Sequence, residues 1–221
     1  MFTEAAVDRL AHGVWITVQI VLMAGALGTV MSVFSGLAGL SSSRAVRWAN
    51  QVYVDFFRGS SAIIQLFWAF YALPVINREH LTFSTMQVAV IVLGLNMGGY
   101  GSEIVRGAIR AVPRGQYEAS TALSISRIHR MLYIVFPQAT LAMLPPYGNL
   151  LIEMMKATAL VALIGMLDAT RVGLQLRANG DLTSTATFTT LLIIYFFIAM
   201  ALIAVVRGAE RIARRRLGIE A

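Results

Sequence analysis

The chain has no cysteine, a single lysine (Lys156) and three histidines in 221 residues, and only 13% of its residues are charged. Without cysteine there can be no disulfide and no thiolate metal site, and the redox compartment is left unmarked. His12, His80 and His129 are too scattered along the chain to form a metal constellation. No Gly-x-x-x-x-Gly-Lys-Ser/Thr segment occurs, so the usual device for gripping nucleotide phosphates is missing. No nucleophile is set beside a base, and nothing in the pattern supports catalysis within the chain.

Apolar sequence is abundant. Hydrophobic residues make up 57% of the chain, too much for an ordinary soluble domain. The runs 13–43, 59–77, 81–102, 131–152 and 182–206 contain no charged residue. Each reaches the roughly 17–25 residues that let a helix cross a bilayer. A further apolar stretch, 157–167, is too short to cross alone and is expected to extend the fourth span or to dip into the membrane. The reading is an all-α integral membrane protein of about five transmembrane helices, a single domain over 1–221. Glu4 and Asp8 stand where a cleavable signal would be basic, so no such signal is expected.

The net charge of +7 is a topology signal and not a nucleic-acid one. With the N-terminus outside, five spans place Arg44, Arg47, Arg58, Arg106, Arg110, Arg114, Arg127 and Arg130 in the cytoplasm, with Arg207, Arg211, Arg214, Arg215 and Arg216 of the tail. Only Arg9, Arg78, Arg171 and Arg177 fall outside. This excess predicts an external N-terminus and a cytoplasmic C-terminus.

Small residues crowd span one (Gly25, Ala26, Gly28, Ser32, Ser35, Gly36, Gly39) and predict close packing against another helix. Asn96-Met97-Gly98-Gly99-Tyr100 puts thin, polar backbone inside span three, as at a cavity or a close helix contact. Pro137, Pro145 and Pro146 predict a kinked or broken span four, a feature frequent in transport pathways. Asn77-Arg78-Glu79-His80 and the stretch 168–181 read as external loops.

Three acid–base pairs share a spacing of three: Asp55 with Arg58, Glu103 with Arg106, and Glu153 with Lys156. That spacing places each pair on one helix face. The first two suit interfacial ion pairing at span ends. Glu153 and Lys156 lie between two apolar runs, where charge is costly, so they should face a watery path or each other. Between spans three and four, 113–130 reads as a short amphipathic helix. Pro113 starts it, Ala119, Ala122, Leu123, Ile125 and Ile128 give a small and apolar face, and Arg127 and Arg130 flank it. Such a helix can enter a groove on a partner with Glu118 meeting a basic residue. It can equally lie on a lipid surface.

Much of the chain, roughly 53–176, resembles the permease subunits of bacterial ABC importers of the polar amino acid uptake family. The resemblance rests on Tyr53-Val54-Asp55-Phe56-Phe57-Arg58-Gly59, Gln65-Leu66-Phe67, Leu95-Asn96 with Tyr100, and Glu103-Ile104-Val105-Arg106-Gly107-Ala108-Ile109. It continues through Val112-Pro113-Arg114-Gly115-Gln116-Tyr117-Glu118-Ala119, Phe136-Pro137-Gln138-Ala139, Pro145-Pro146, Gly148-Asn149 and Lys156-Ala157-Thr158. It implies a bacterial inner-membrane, multi-pass permease with two permease subunits, identical or paralogous. It also implies two ABC ATPase subunits that bind ATP and magnesium, and an external substrate-binding protein. The 113–130 helix then couples to the ATPase through Gly115, Glu118, Ala119, Ser120, Ser124 and Arg127. Gln65, Asn96, Tyr100, Asn149, Glu153, Lys156 and Thr158 would line the substrate pathway. No cofactor, metal or nucleic acid is expected in this chain.

Departures from the family pattern bear on cargo. Ser120 replaces the third residue of the Glu-Ala-Ala triplet, Ser124 the usual loop glycine, and Ser60-Ser61-Ala62 the usual Thr-Pro-Leu. Leu150 stands where the family commonly has Glu, and Ala157 where it has Asp. Loss of those acids argues against a cationic amino acid and for a zwitterionic amino acid or a compatible solute such as ectoine. The alternative is a stand-alone secondary transporter or channel for a small polar solute.

Overall fold

A computed structural model describes residues 4–76 and 81–216, and no strand occurs among them. The external loop expected at Asn77, Arg78, Glu79 and His80 lies outside the described residues, as does the Arg216 side chain. Helix α1 (Glu4–Ala38) is followed by α2 (Arg44–Gly59). The chain then turns by 103° into α3 (Ala62–Phe67), a π-helical turn (Trp68–Ala72) and α4 (Leu73–Ile76). Helix α5 (Thr85–Ala111) leads to the short α6 (Arg114–Ala122). A continuous run follows: α7 (Arg127–Arg130), a second π turn (Met131–Val135), α8 (Phe136–Ala157) and a 3-10 segment (Thr158–Ile164). Helices α9 (Ala169–Ala178) and α10 (Ser184–Arg216) complete the fold.

Four of these runs are long and apolar enough to cross a bilayer, and the bent pair around residue 60 gives a fifth when counted as one broken span. The second span departs most from expectation. Residues 62–76 rise about 22 Å at 1.5 Å per residue, short of a hydrocarbon core of about 30 Å. Helix α2, which precedes the bend, is amphipathic and carries Asp55 and Arg58 toward its end. The 157–167 stretch extends the fourth span in 3-10 form, and Gly165 ends it in the left-handed region (φ 88°).

Helices α1 and α5 form the centre of the bundle, interlocked through glycine. A side chain at Gly28 would strike the Met97 sulfur (2.7 Å), one at Gly98 would meet Met31 and the Tyr53 hydroxyl (2.6 Å), and one at Gly101 would overlap the Ser32 hydroxyl. Apolar burial gives no drive to association in lipid, so this close approach supplies it through dispersion contacts. Ile20, Ala24, Leu66, Leu93, Met97 and Met155 fill the core around that seam. By contrast α10 is nearly stripped of buried residues and exposes Leu192, Phe196 and Phe197 as a lipid-facing surface.

The 168–181 stretch is not a loop. Asp168 caps α9 by accepting from the Thr170 and Arg171 amides, each at 3.1 Å. Ala169, Val172, Gly173 and Leu176 face inward, where Val172 and Leu176 pack with Ala6 of α1. That i, i+3, i+4, i+7 pattern is the mark of a half-buried helix, present in the sequence behind an Asp N-cap.

Candidate functional site

The expected helix 113–130 is two helices. Helix α6 ends at Ala122, and a Schellman turn closes it: Ser124 N–H donates to the Thr121 carbonyl (2.9 Å) and Ile125 N–H to that of Ser120 (3.0 Å). Ser124 therefore occupies the left-handed position (φ 57°), normally glycine. Ser126 caps the next helix, so Arg127 and His129 open span four and do not continue α6. Tyr117 ties α6 to α5 through its hydroxyl and the Ile109 carbonyl (3.2 Å). Arg130 ties it to span four, donating to Thr121 Oγ1 (2.9 Å) with its guanidinium over the Tyr117 ring.

This clamp leaves Gly115, Glu118, Ala119 and Ala122 exposed on α6, with Leu123, Ser124 and Arg127 exposed beyond it. Ser120 is the exception among the expected docking residues. It is buried, and its hydroxyl donates to the Tyr117 carbonyl (2.8 Å), so it shapes the helix from inside.

The pathway candidates fall into three groups. Asn149, Glu153 and Lys156 are exposed with Ala142 and Pro146 along one stripe of α8, at the alternating three- and four-residue steps of a helix face. Its opposite face buries Ala139, Met143, Leu150, Met154 and Met155. Leu150, at the family's Glu position, thus points into the core. Among the described residues, neither Glu153 nor Lys156 has an ion-pair partner; Glu103 and Arg106 are the pair that forms. Asp55 instead accepts from Gln51 (2.7 Å) and Arg58 lies over the Tyr100 ring.

Gln65, Asn96 and Tyr100 gather elsewhere, at the break between α2 and α3. Gln65 Nε2 donates to Ser60 Oγ (2.8 Å) and the carbonyls of Phe57 (3.2 Å) and Ser60 (3.3 Å). Asn96 Nδ2 donates to the Phe57 carbonyl (3.0 Å) and Gln65 Oε1 (3.1 Å). The Tyr100 hydroxyl donates to the Arg58 carbonyl (3.3 Å). These carbonyls lose their helical partners at the turn, and the three side chains satisfy them. The thin backbone at Gly98 and Gly99 is the close helix contact beside this clasp.

Thr158 is fully buried, its hydroxyl donating to the Met155 carbonyl (2.7 Å). It belongs to the layer of a polar knot that sequence reasoning missed. Asp168 is fully buried, Thr170 Oγ1 and the Tyr195 hydroxyl are 2.9 Å apart, and Thr17 Oγ1 accepts from the Ala169 amide (3.1 Å). Burial pushes the Asp168 carboxyl above its ordinary value, against the backbone hydrogen bonds from Arg171 and Thr170 that pull it down. The Asp168 cap signal could have located this knot; Thr17 and Tyr195 carry no local signal.

A bundle of this build, with an exposed turn between its third and fourth spans and unpartnered charge along the fourth, fits a multi-pass membrane transport component. Residues 11–219 match the binding-protein-dependent transport system inner membrane components, and the chain belongs to that family. It is 40% identical to a probable amino-acid ABC transporter permease protein of Sinorhizobium fredii, over 95% of this chain and 89% of that one. A glutamine transport system permease protein of Escherichia coli is 30% identical over 93% of each chain. The fold matches a crystal structure of an amino acid ABC transporter with histidines at a TM-score of 0.82 and 26% identity, covering 93% and 94% of the chains. An inward-facing methionine ABC transporter shares the fold at a TM-score of 0.80 and 19% identity, over 96% and 99%. The chain is thus an ABC transporter permease of the inner membrane, a transport component not itself catalytic; a stand-alone transporter or channel is not favoured.

Proposed function

We propose that this permease forms the import path for a zwitterionic amino acid, or a compatible solute such as ectoine, along the exposed face of α8. Glu153 and Lys156 carry the reading: a carboxylate and an ammonium exposed on one helix face inside an apolar span. Neither can rest against lipid tails without large cost. A second permease subunit, identical or paralogous, covers the face and encloses a polar channel. Within it Lys156 meets the substrate carboxylate and Glu153 its ammonium, with Asn149 beside them. The absence of acids at 150 and 157 leaves one carboxylate for one ammonium, which suits a zwitterion better than a cation. The amino-acid and glutamine permeases among its relatives support the cargo class.

Drive comes from outside the chain. ABC ATPase subunits, holding ATP and magnesium, grip the exposed side of α6, and an external binding protein delivers cargo. The arginine excess at the α6 end of the bundle supports a cytoplasmic position for α6 and the C-terminus, with the N-terminus outside. Because α6 is clamped to α5 and span four by Tyr117 and Arg130, a push on it moves two spans together, biasing the bundle between inward- and outward-open states.

The test is uptake by proteoliposomes holding the whole importer. Glu153→Gln and Lys156→Met should each raise KM about 10- to 100-fold, the loss of one charge-assisted contact of about 1.5–3 kcal/mol. ATPase assembly should be kept. Unchanged KM in both variants would contradict the assigned path.

A further inference from the structure

Arg44, Arg47, Arg106 and Arg110 line one open pocket of about 370 Å³ between the start of α2 and the end of α5, with Trp48 and Asn50. Two of the four are engaged. Arg47 donates to the carbonyls of Ser41 (2.6 Å) and Ser42 (2.9 Å), and Arg106 pairs with Glu103. Arg44 and Arg110 are exposed and have no ion-pair partner among the described residues. No carboxylate lines the pocket, and Asp55, further along α2, is occupied by Gln51. The pocket therefore holds an uncompensated excess of guanidinium charge, in the fork geometry that suits phosphate oxygens.

The apolar surroundings say what kind of phosphate. Trp48, which walls the pocket, begins a stripe at steps of four on α2, and its members Trp48, Val52 and Phe56 are 71%, 51% and 59% exposed. A free anion has no use for that stripe. An amphipathic helix with arginine at one end and exposed aromatics along it fits the boundary between lipid headgroups and acyl chains. We propose that this pocket binds the phosphate of an anionic phospholipid, its acyl chains lying along Trp48, Val52 and Phe56. The inference depends on the membrane placement of the chain and not on its cargo. Since α2 leads into the break held by Gln65 and Asn96, a lipid here steadies the second span from outside the solute path.

Brominated lipids report on Trp48 directly. In a full-chain variant with Trp15→Phe and Trp68→Phe, Trp48 fluorescence is measured in phosphatidylcholine vesicles containing brominated phosphatidylglycerol or, at equal mole fraction, brominated phosphatidylcholine. The expected result is a preference for the glycerol lipid on the order of tenfold. It should fall to near equality with Arg44→Gln and Arg110→Gln combined, be kept by Arg44→Lys with Arg110→Lys, and resist excess inorganic phosphate. Equal quenching by the two lipids without any arginine change would overturn the proposal, whatever the variants do. A preference unchanged in the glutamine variant would overturn it too. Loss of preference to free phosphate or to a soluble acidic peptide would assign the pocket to an aqueous partner instead.

Discussion

Asn96→Ala separates a structural clasp from a substrate contact. Asn96 donates two hydrogen bonds, to the Phe57 carbonyl at 3.0 Å and to Gln65 Oε1 at 3.1 Å. Truncation leaves the buried Gln65 oxygen without that donor, and the Phe57 carbonyl only with Gln65 Nε2 at 3.2 Å. Hydrogen bonds inside helical membrane proteins contribute about 0.6 kcal/mol on average and up to about 1.7. Two of them therefore put the cost at about 1–3 kcal/mol. For a chain of this length, that lowers the unfolding midpoint by about 2–4 °C per kcal/mol. Gln65→Ala should cost a similar amount. Because the two side chains share a bond, the double variant should fall short of the sum by about 0.5–1.5 kcal/mol. Thermal unfolding of the four detergent-purified proteins measures this, and uptake kinetics give KM alongside. Additivity within about 0.3 kcal/mol would refute the clasp. So would a raised KM with unchanged stability, which would return Asn96 to the substrate path.

Two further outcomes follow from the caps of helices, at the end of α6 and the start of α9. Ser124→Gly should raise stability by about 1 kcal/mol by relieving the left-handed backbone, whereas Ser124→Val should lower it; denaturation midpoints of the two variants decide. Asp168 titrates above its unfolded value, so the proton prefers the folded state. Its contribution is full below the unfolded value, about 3.9, and is lost as pH rises through the folded one. Asp168→Asn keeps a capping oxygen and removes that loss, so it should gain on the unsubstituted protein as pH rises above about 4. Asp168→Ala lacks the cap and should lose about 1 kcal/mol.

Much of the bundle was legible because the bilayer imposes one dominant rule. Uncharged runs mark the spans, and the small residues of α1 announce its seam with α5. What escaped depends on tertiary context or on an irregular turn. Nothing before folding separates Gln65 and Asn96, which tie up the backbone at Ser60, from Glu153 and Lys156, which do not. All are polar residues in apolar runs. The two-helix form of 113–130 was hidden because serine, not glycine, holds the αL position, so the apolar period seemed to run through. Helix α9 lies in a polar stretch that reads as loop, although Asp168 and the spacing of Ala169, Val172 and Leu176 mark a capped helix. Of the three acid–base pairs at equal spacing only Glu103 with Arg106 closed, since Gln51 and Tyr100 offered Asp55 and Arg58 other partners.

Coupling through α6 is tested most directly at Glu118, which is exposed at the middle of that helix. Glu118→Lys reverses the charge offered to an ATPase without touching the Tyr117 and Arg130 clamps. In the reconstituted importer, the variant should insert normally yet show neither uptake nor substrate-stimulated ATP hydrolysis. Uptake at the unsubstituted rate would contradict docking at α6.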